Sequence, residues 1–482
     1  LSAAGDGPRP PDGEVVHVRH HHCRLAARWD ESAMMNAGLQ SGTDTIVEIP
    51  FVRFDVGIYW CPDPAELLSG PPRTVQKHTS FVDGIDLFDN KYFEVTLPDA
   101  RVMDPMQRHV LEVGAKNLFK MGITKRTSNR QPRHGGCSVG LDKADWDKMD
   151  DKPQGGSNVQ AIISNRFSFI FNLRGPNFVA DTACSASLCA THLATFTLAD
   201  RTNDKIEFHI ALGIHQCLTP LPFIGASQGH MLSPIGRCLT FNASASGYMR
   251  GDGCSGMTLK WGSGTELQDT TEAVWRGSGT GQNGRSATMT APNGLAQEDV
   301  ILKAMRAACV TAPESSIWSC HGTGTSLGDP IEVGAVRKVQ MRQERASPLL
   351  ISSNKPNTGH LEGGAAMTSL LAAVLQLKAS TSIPVNHFRQ LNPHLEQSQF
   401  NSVMPNEAMT YKTRNGIVHV SSFGFGGTNG HVCFWGENLY GLHADAQSVL
   451  VKQLHRNAPE VRVNGSDPSQ WEWDGPDTNI KP

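Results

Sequence analysis

Asp181-Thr182-Ala183-Cys184-Ser185-Ala186-Ser187-Leu188 follows directly on the apolar run Phe178-Val179-Ala180 and opens a helical pattern that continues to Leu198. An extended segment, a turn of small residues and a helix in that order make a strand-turn-helix elbow. Small side chains at Ala183, Ser185 and Ala186 leave Cys184 room to project from the turn. A helix N-terminus stabilises a thiolate, so this position suits a nucleophile that attacks carbonyls and thioesters. On these residues alone the competing reading is a buried structural cysteine, because free cysteine is among the most buried residue types.

Outward from the elbow, β-like runs at 208–212, 257–259, 349–352 and 417–420 alternate with helical patterns at 186–198, 300–310 and 365–378. That alternation signals layered α/β structure. With 47 glycines, 28 prolines and only 7% aromatic residues, the chain favours short elements joined by tight turns over a long helical bundle. At 482 residues and 39% hydrophobic it exceeds what one core holds comfortably, so two joined halves are expected. The composition break at 261–271 (WGSGTELQDTT) divides them. The expected organisation is a disordered lead over 1–13, a first half over 14–262 that carries the cysteine motif, a second half over 263–437, and a tail or linker over 438–482. Chemistry would then sit where the halves meet.

Lys+Arg 43 against Asp+Glu 46 gives a formal charge of -3, which suggests neither a nucleic-acid surface nor a polybasic membrane patch. No stretch has the apolar length needed to cross a bilayer. The 11 cysteines include no C-x-x-C pair, which argues against a disulfide framework and for a reducing compartment. A cytoplasmic or plastid setting fits. The chain starts at Leu1, so a leader is not judged.

Three further constellations carry chemistry. His321-Gly322-Thr323-Gly324-Thr325-Ser326-Leu327-Gly328-Asp329-Pro330-Ile331-Glu332 sets a histidine on a glycine-rich loop, where its Nε2 can donate to a developing enolate oxygen. Asp329, Pro330 and Glu332 read as a helix N-cap, a proline at the first helical position and a capping-box acid, although Glu332 could instead orient a nearby lysine. Ser353-Asn354-Lys355-Pro356-Asn357-Thr358-Gly359-His360 places Lys355 and His360 around a turn at a helix entrance, able to bracket a thioester carbonyl. Either histidine alone reads equally well as a cap or core residue; two in similar Gly/Thr loops weaken that reading. Ser421-Ser422-Phe423-Gly424-Phe425-Gly426-Gly427-Thr428-Asn429-Gly430 follows a β run, and its glycines can bring backbone N–H groups to a ligand, as an oxyanion hole requires. A tight turn between strands is the alternative there.

In this order and spacing the four motifs resemble the β-ketoacyl synthase family, specifically the ketosynthase domains of type I polyketide synthases. Further matches include Met103-Asp104-Pro105, Met231-Leu232-Ser233-Pro234, Tyr248-Met249-Arg250-Gly251-Asp252-Gly253 and Thr290-Ala291-Pro292-Asn293-Gly294, so the likeness runs from about Gly42 to about Val432. The resemblance implies a thiolase-like α/β fold, two similar halves in a five-layer αβαβα arrangement, and a homodimer. It implies an acyltransferase that performs decarboxylative Claisen condensation in polyketide or fatty-acid biosynthesis. Cys184 would carry the acyl chain as a thioester, and His321 and His360 would bind the malonyl thioester and stabilise its enolate. Backbone N–H groups of Cys184 and Phe425 would form the oxyanion hole, with the Phe425 ring as a gate. Lys355, paired with Glu332, would support His360. The implied partner is an acyl carrier protein bearing acyl and malonyl phosphopantetheine thioesters; no cofactor and no metal is implied. A second cysteine would mark a thiolase, and an asparagine in place of His360 a chalcone-synthase-like or initiating enzyme. A non-catalytic protein that pairs with an active synthase is the competing function.

Departures from the family pattern concentrate at the N-terminus, where Val15-Val16-His17-Val18-Arg19-His20-His21-His22-Cys23-Arg24 stands in place of an apolar strand and its turn. Consecutive residues on an extended segment point alternate ways, so His20, His21, His22 and Cys23 are poorly spaced for one metal ion. A damaged or divergent first strand is expected. Thr358 stands where Ile is common, Gly363-Gly364 where Ala-Ala is common, and Gly430 where Ala is common.

Overall fold

The computed structural model describes residues 7–8, 13–153, 155–156, 158–200, 206–263, 270–440, 449–450, 461–463 and 471–473. Most of the expected lead and tail lies outside these residues. Ten principal strands build one continuous sheet: β1 (Glu14–Leu25), β2 (Gly135–Gly140), β3 (Asn177–Ala180), β4 (Phe208–His215), β5 (Gly253–Ser263), β6 (Ala273–Gln282), β7 (Ser315–Ser319), β8 (Leu349–Ser352), β9 (Asn415–Phe423) and β10 (Thr428–Glu437). Their order is β8-β7-β9-β10-β6-β1-β5-β4-β2-β3, with the short strand Ser402–Val403 beside β8 at one edge.

This order contains a duplication. Numbering each half's strands from its own start, both read 3-2-4-5-1. In both, the first three in that spatial order run parallel and the last two pair antiparallel. Helices complete the layers. α1 (Pro105–Lys120) and α2 (Gln160–Ile170) cover the outside of the first half, where Val110, Leu111 and Phe167 pack on Val139, Ile210 and Leu212. α4 (Gly294–Ala308) and α5 (Gly328–Gln340) cover the second, with Ile301, Met305, Val333 and Val336 on Trp318, Ile351 and Ile417. Between the half-sheets lie α3 (Ala186–Ala199) and α6 (Ala365–Ala379). A helix covered on every side is mostly apolar all round. In α6, 14 of the 15 residues are buried, which fits that place. The arrangement is α/β/α/β/α, as expected. No helix among the described residues is long and apolar enough to cross a membrane.

The two central helices explain where chemistry can gather. β3 leads through Cys184 into α3, and β8, its counterpart in the second half, leads through His360 into α6. The duplication therefore points both helix starts at the seam between the halves.

Two expectations need correction. The first strand is not damaged: β1 pairs antiparallel with β5 from Glu14 to Leu25, with a register shift between Val18 and His20, and its start also pairs with β6, so it joins the two halves. Its four imidazoles are buried, and two of them are hydrogen-bonded. His17 Nδ1 lies 2.7 Å from Thr271 Oγ1, His21 Nδ1 2.6 Å from Ser32 Oγ, and His21 Nε2 2.5 Å from Glu272, which also holds Lys378 at 2.7 Å. The helix expected over 300–310 starts earlier, at Gly294, because the Asn293 side chain accepts from the N–H groups of Leu295 and Ala296. The glycines at 363 and 430, which stand where Ala is common, sit at close approaches of the backbone. A Cβ on Gly363 would lie 2.4 Å from the backbone of Leu141, and one on Gly430 2.5 Å from Leu188.

Candidate active site

Cys184 sits at a strained turn. Ala183 before it is left-handed (φ 54), a conformation costly for a residue with a side chain. Its N–H donates to Asp181 Oδ1 at 3.0 Å, and Ser185 Oγ donates back to the Thr182 carbonyl at 3.0 Å. The turn is thereby held from both sides and aims the thiol into the seam.

His360 arrives from the other half. Gly359 is left-handed (φ 72), and a Cβ there would meet the Met249 side chain at 2.4 Å and the Arg250 carbonyl at 3.0 Å. The His360 N–H donates to the Met249 carbonyl (2.7 Å), and its own carbonyl accepts from Gly251 (3.1 Å). So fixed, Nε2 lies 2.9 Å from Cys184 Sγ. His321 comes from the loop after β7; its ring meets that of His360 edge-on with centroids 5.4 Å apart. The thiol and one nitrogen of each imidazole fall within 4.8 Å of one another.

Glu332 and Asp329 hold the His321 loop, which corrects their expected role as helix caps. The helix already begins at Gly328, and neither carboxylate serves it. Glu332 Oε1 accepts from the His321 N–H (2.7 Å) and Oε2 from Gly322 (2.9 Å); Asp329 accepts from Gly324 (3.1 Å) and Phe241 (2.9 Å). Glu332 therefore makes no direct ion pair with Lys355; it acts on that buried ammonium only through space, as the strongest of the charges opposing the burial that lowers the Lys355 pKa. Burial raises the Glu332 carboxyl to about 7 and that of Asp329 to about 6.

The electrostatics also revise the thiol. Burial, reinforced by the carboxylates of Glu362 and Asp142, pushes Cys184 up to about 12, against the weaker pull of the Phe425 backbone N–H aimed at it. The helix start does not outweigh this. Burial first, and Lys355 next, hold both His321 and His360 well below the usual imidazole range. The resting site is a neutral thiol against neutral imidazoles, in which His360 can accept the S–H proton. Phe425 places its N–H at the thiol while its ring is 49% exposed, a position from which it can cover the entrance.

The sequence reading missed a supporting layer. Ser422 Oγ donates to the Cys184 carbonyl at 2.8 Å. Tyr248 meets the His360 ring edge-on with centroids 5.0 Å apart and donates its hydroxyl to Glu362 at 2.8 Å, and Glu362 is also held by Lys143 (2.7 Å) and Arg250 (3.3 Å). Tyr248, Arg250 and Ser422 lie inside motifs visible in the sequence, but nothing there told which side chains turn inward.

A thiol facing an acceptor imidazole, a second imidazole and a backbone N–H, at the seam of a duplicated thiolase-like fold, defines a class: an enzyme that can carry an acyl group on cysteine. Family comparisons narrow it. Residues 22–263 match the N-terminal domain of β-ketoacyl synthase and residues 272–389 its C-terminal domain. This chain belongs to the β-ketoacyl synthase family, whose members join acyl units by Claisen condensation. It is 37% identical over 409 residues to one of the phenolphthiocerol/phthiocerol polyketide synthase polypeptides of Mycobacterium tuberculosis, covering 82% of this chain and 22% of the relative. It is 38% identical over 382 residues to another polypeptide of that mycobacterial synthase, covering 77% and 20%. The chain thus spans about a fifth of these curated relatives. Among solved structures it is similar to an oxazolomycin ketosynthase domain of Streptomyces albus (TM-score 0.81, 27% identity, 88% of this chain and 75% of that one). The ketosynthase from module 6 of the bacillaene synthase of Bacillus subtilis is similar to the same degree (TM-score 0.79, 27% identity, 88% and 72%).

Proposed function

We propose that this chain elongates acyl chains by decarboxylative condensation in polyketide biosynthesis, with Cys184 as nucleophile. The observation that carries this reading is the 2.9 Å approach of His360 Nε2 to the Cys184 thiol beside His321. In the first step Cys184 attacks an acyl thioester; its proton passes by way of His360 to the departing phosphopantetheine thiolate, giving acyl-S-Cys184 and free carrier thiol. The N–H groups of Cys184 and Phe425 stabilise the tetrahedral oxyanion. In the second step His321 and His360 donate to the carbonyl oxygen of a malonyl thioester while carbon dioxide leaves. The enolate carbon attacks the acyl carbonyl, the Cys184 sulfur leaves, and one proton from solvent restores the thiol. Burial, with Lys355 adding to it, keeps both imidazoles neutral, so that they donate without charging. Glu332 is a positioning residue for His321.

The partner in this reading is an acyl carrier protein. A second copy of the chain is the other proposed partner: β3 is the open edge of the sheet, and Phe169 (85% exposed) and Phe196 (59%) stand exposed on the helices packed against it. An exposed strand edge flanked by aromatic side chains favours pairing. The test of the chemistry separates its two steps: Cys184→Ala should abolish elongation yet leave carbon dioxide release from malonyl carrier protein, and that release should vanish when His321 or His360 is also replaced by Ala. Elongation by Cys184→Ala would overturn the proposal.

A further inference from the structure

The second half-sheet contains a polar cluster that condensation does not use. His419 on β9 and Cys433 on β10 are direct cross-strand partners, and His431 lies two residues before Cys433, on the same face of the sheet. All three are fully buried. His419 Nδ1 lies 3.0 Å from His431 Nε2 and 3.5 Å from Cys433 Sγ, and the three donor atoms fall within 4.8 Å of one another.

The outer nitrogens are fixed by hydroxyls. His419 Nε2 is 2.9 Å from Ser315 Oγ, and His431 Nδ1 is 3.0 Å from Ser421 Oγ. Those serines are themselves anchored, Ser315 by the Gln340 amide (3.2 Å) and Ser421 by the Trp318 indole N–H (3.3 Å). A hydroxyl oxygen has two lone pairs, so each serine can accept an imidazole N–H as well as its anchoring donor. In that tautomer the two inner nitrogens, 3.0 Å apart beside Cys433, both carry free lone pairs, and an outer hydrogen bond of this kind is what orients a metal-ligating histidine. Trp318 fixes the rings further, stacking on His419 at 4.2 Å and on His431 at 4.9 Å.

We propose that His419, His431 and Cys433 form a buried binding site for one copper(I) ion. Thiolate and imidazole suit soft, closed-shell copper(I). Zinc asks for four ligands and brings two charges, whereas this cluster supplies three ligands and one thiolate, and the cations Arg276, acting on Cys433, and Arg345, acting on His419, disfavour a second positive charge there. Copper(I) with one thiolate is neutral, which removes the cost of an uncompensated buried charge. Donors on a three-coordinate ion stand about 3.5 Å apart for bonds of about 2 Å, so loading keeps the 3.5 Å pair and widens the 3.0 Å pair by about half an ångström. The step balances without an oxidant: copper(I) displaces the thiol proton of Cys433 to solvent, and the proton shared between the two imidazoles moves to the outer nitrogen of His419.

The test uses the full chain carrying Cys184→Ala, since Cys184, His321 and His360 also gather ligand atoms within 4.8 Å and would compete. Protein expressed in medium supplemented with copper and zinc is purified, and its metal content and copper absorption edge are measured. The expected result is one equivalent of copper(I) bound by two nitrogens and one sulfur, lost on adding Cys433→Ser. A folded Cys184→Ala protein that holds no copper, holds zinc instead, or shows an edge without a sulfur ligand overturns the proposal. So does copper that persists in Cys184→Ala/Cys433→Ser.

Discussion

A thiol held near 12 has a definite consequence for its reactivity. Compared with an ordinary value of 9.0, the Cys184 thiolate is about a thousandfold scarcer at about pH 7, on the order of one molecule in a hundred thousand. Cys309 is the exposed cysteine and the other nine besides Cys184 are buried, so a Cys309→Ser protein reports alkylation mainly at Cys184. With that variant, the rate of iodoacetamide labelling, followed by intact mass between about pH 6 and about pH 10, should rise close to tenfold per pH unit without levelling. Acyl transfer from a thioester at about pH 7 should nevertheless proceed, because His360 removes the proton as the bond forms rather than beforehand. A labelling curve that levels off below about pH 8 would mean a preformed thiolate-imidazolium pair and would refute the neutral resting site.

Other perturbations follow from buried groups. His20, His22 and His209 are buried with values lowered to about 3, chiefly by desolvation. Their folded pKa lies below the unfolded one, so the unfolded chain binds more protons and stability falls as pH drops from about 6.5 toward about 3. Each costs on the order of 2 kcal/mol by about pH 5. The buried carboxyls Asp104, Asp329 and Glu332, raised to about 7, 6 and 7, act in the opposite sense, but His17, His192 and His431, lowered to about 4, 4 and 3, add to the first three histidines and outweigh them; a urea midpoint that stays constant from about pH 6.5 to about 4 would contradict this account. Glu332→Gln replaces one of two accepting oxygens with a donor, leaving a backbone N–H in the His321 loop unpaired at a cost of about 1–3 kcal/mol. It should slow malonyl decarboxylation far more than Cys184 acylation, measured separately, and an equal loss in both would argue against it. Gly363→Ala sets a methyl against the Leu141 backbone and should cost about 1–3 kcal/mol of stability, seen as a lowered thermal midpoint.

The elbow at Cys184 and the helix over 365–378 were legible because local pattern and tertiary setting agree: small residues free the turn, and a mostly apolar run suits a helix covered on every side. β1 was not legible. Its histidines look hostile to a core until the partners Ser32, Thr271 and Glu272, distant in sequence, supply hydrogen bonds. The capping reading of Asp329 and Glu332 failed for the same reason, since both carboxylates turn away from their own helix toward backbone N–H groups of the preceding loop and of Phe241. Cys184, His321 and His360 could be named from their motifs, but their convergence depends on the duplicated strand order, and no local spacing encodes that. The thiol's high pKa was equally hidden, because burial is a property of the assembled halves.

Intact-protein mass spectrometry tests the central claim most directly: the chain is incubated with a short acyl thioester and then given malonyl carrier protein. The account predicts one acyl mass gained on Cys184, then lost as a β-ketoacyl thioester appears on the carrier and carbon dioxide is released. A folded protein whose Cys184 takes up no acyl group, or holds one that malonyl carrier protein cannot remove, would contradict it.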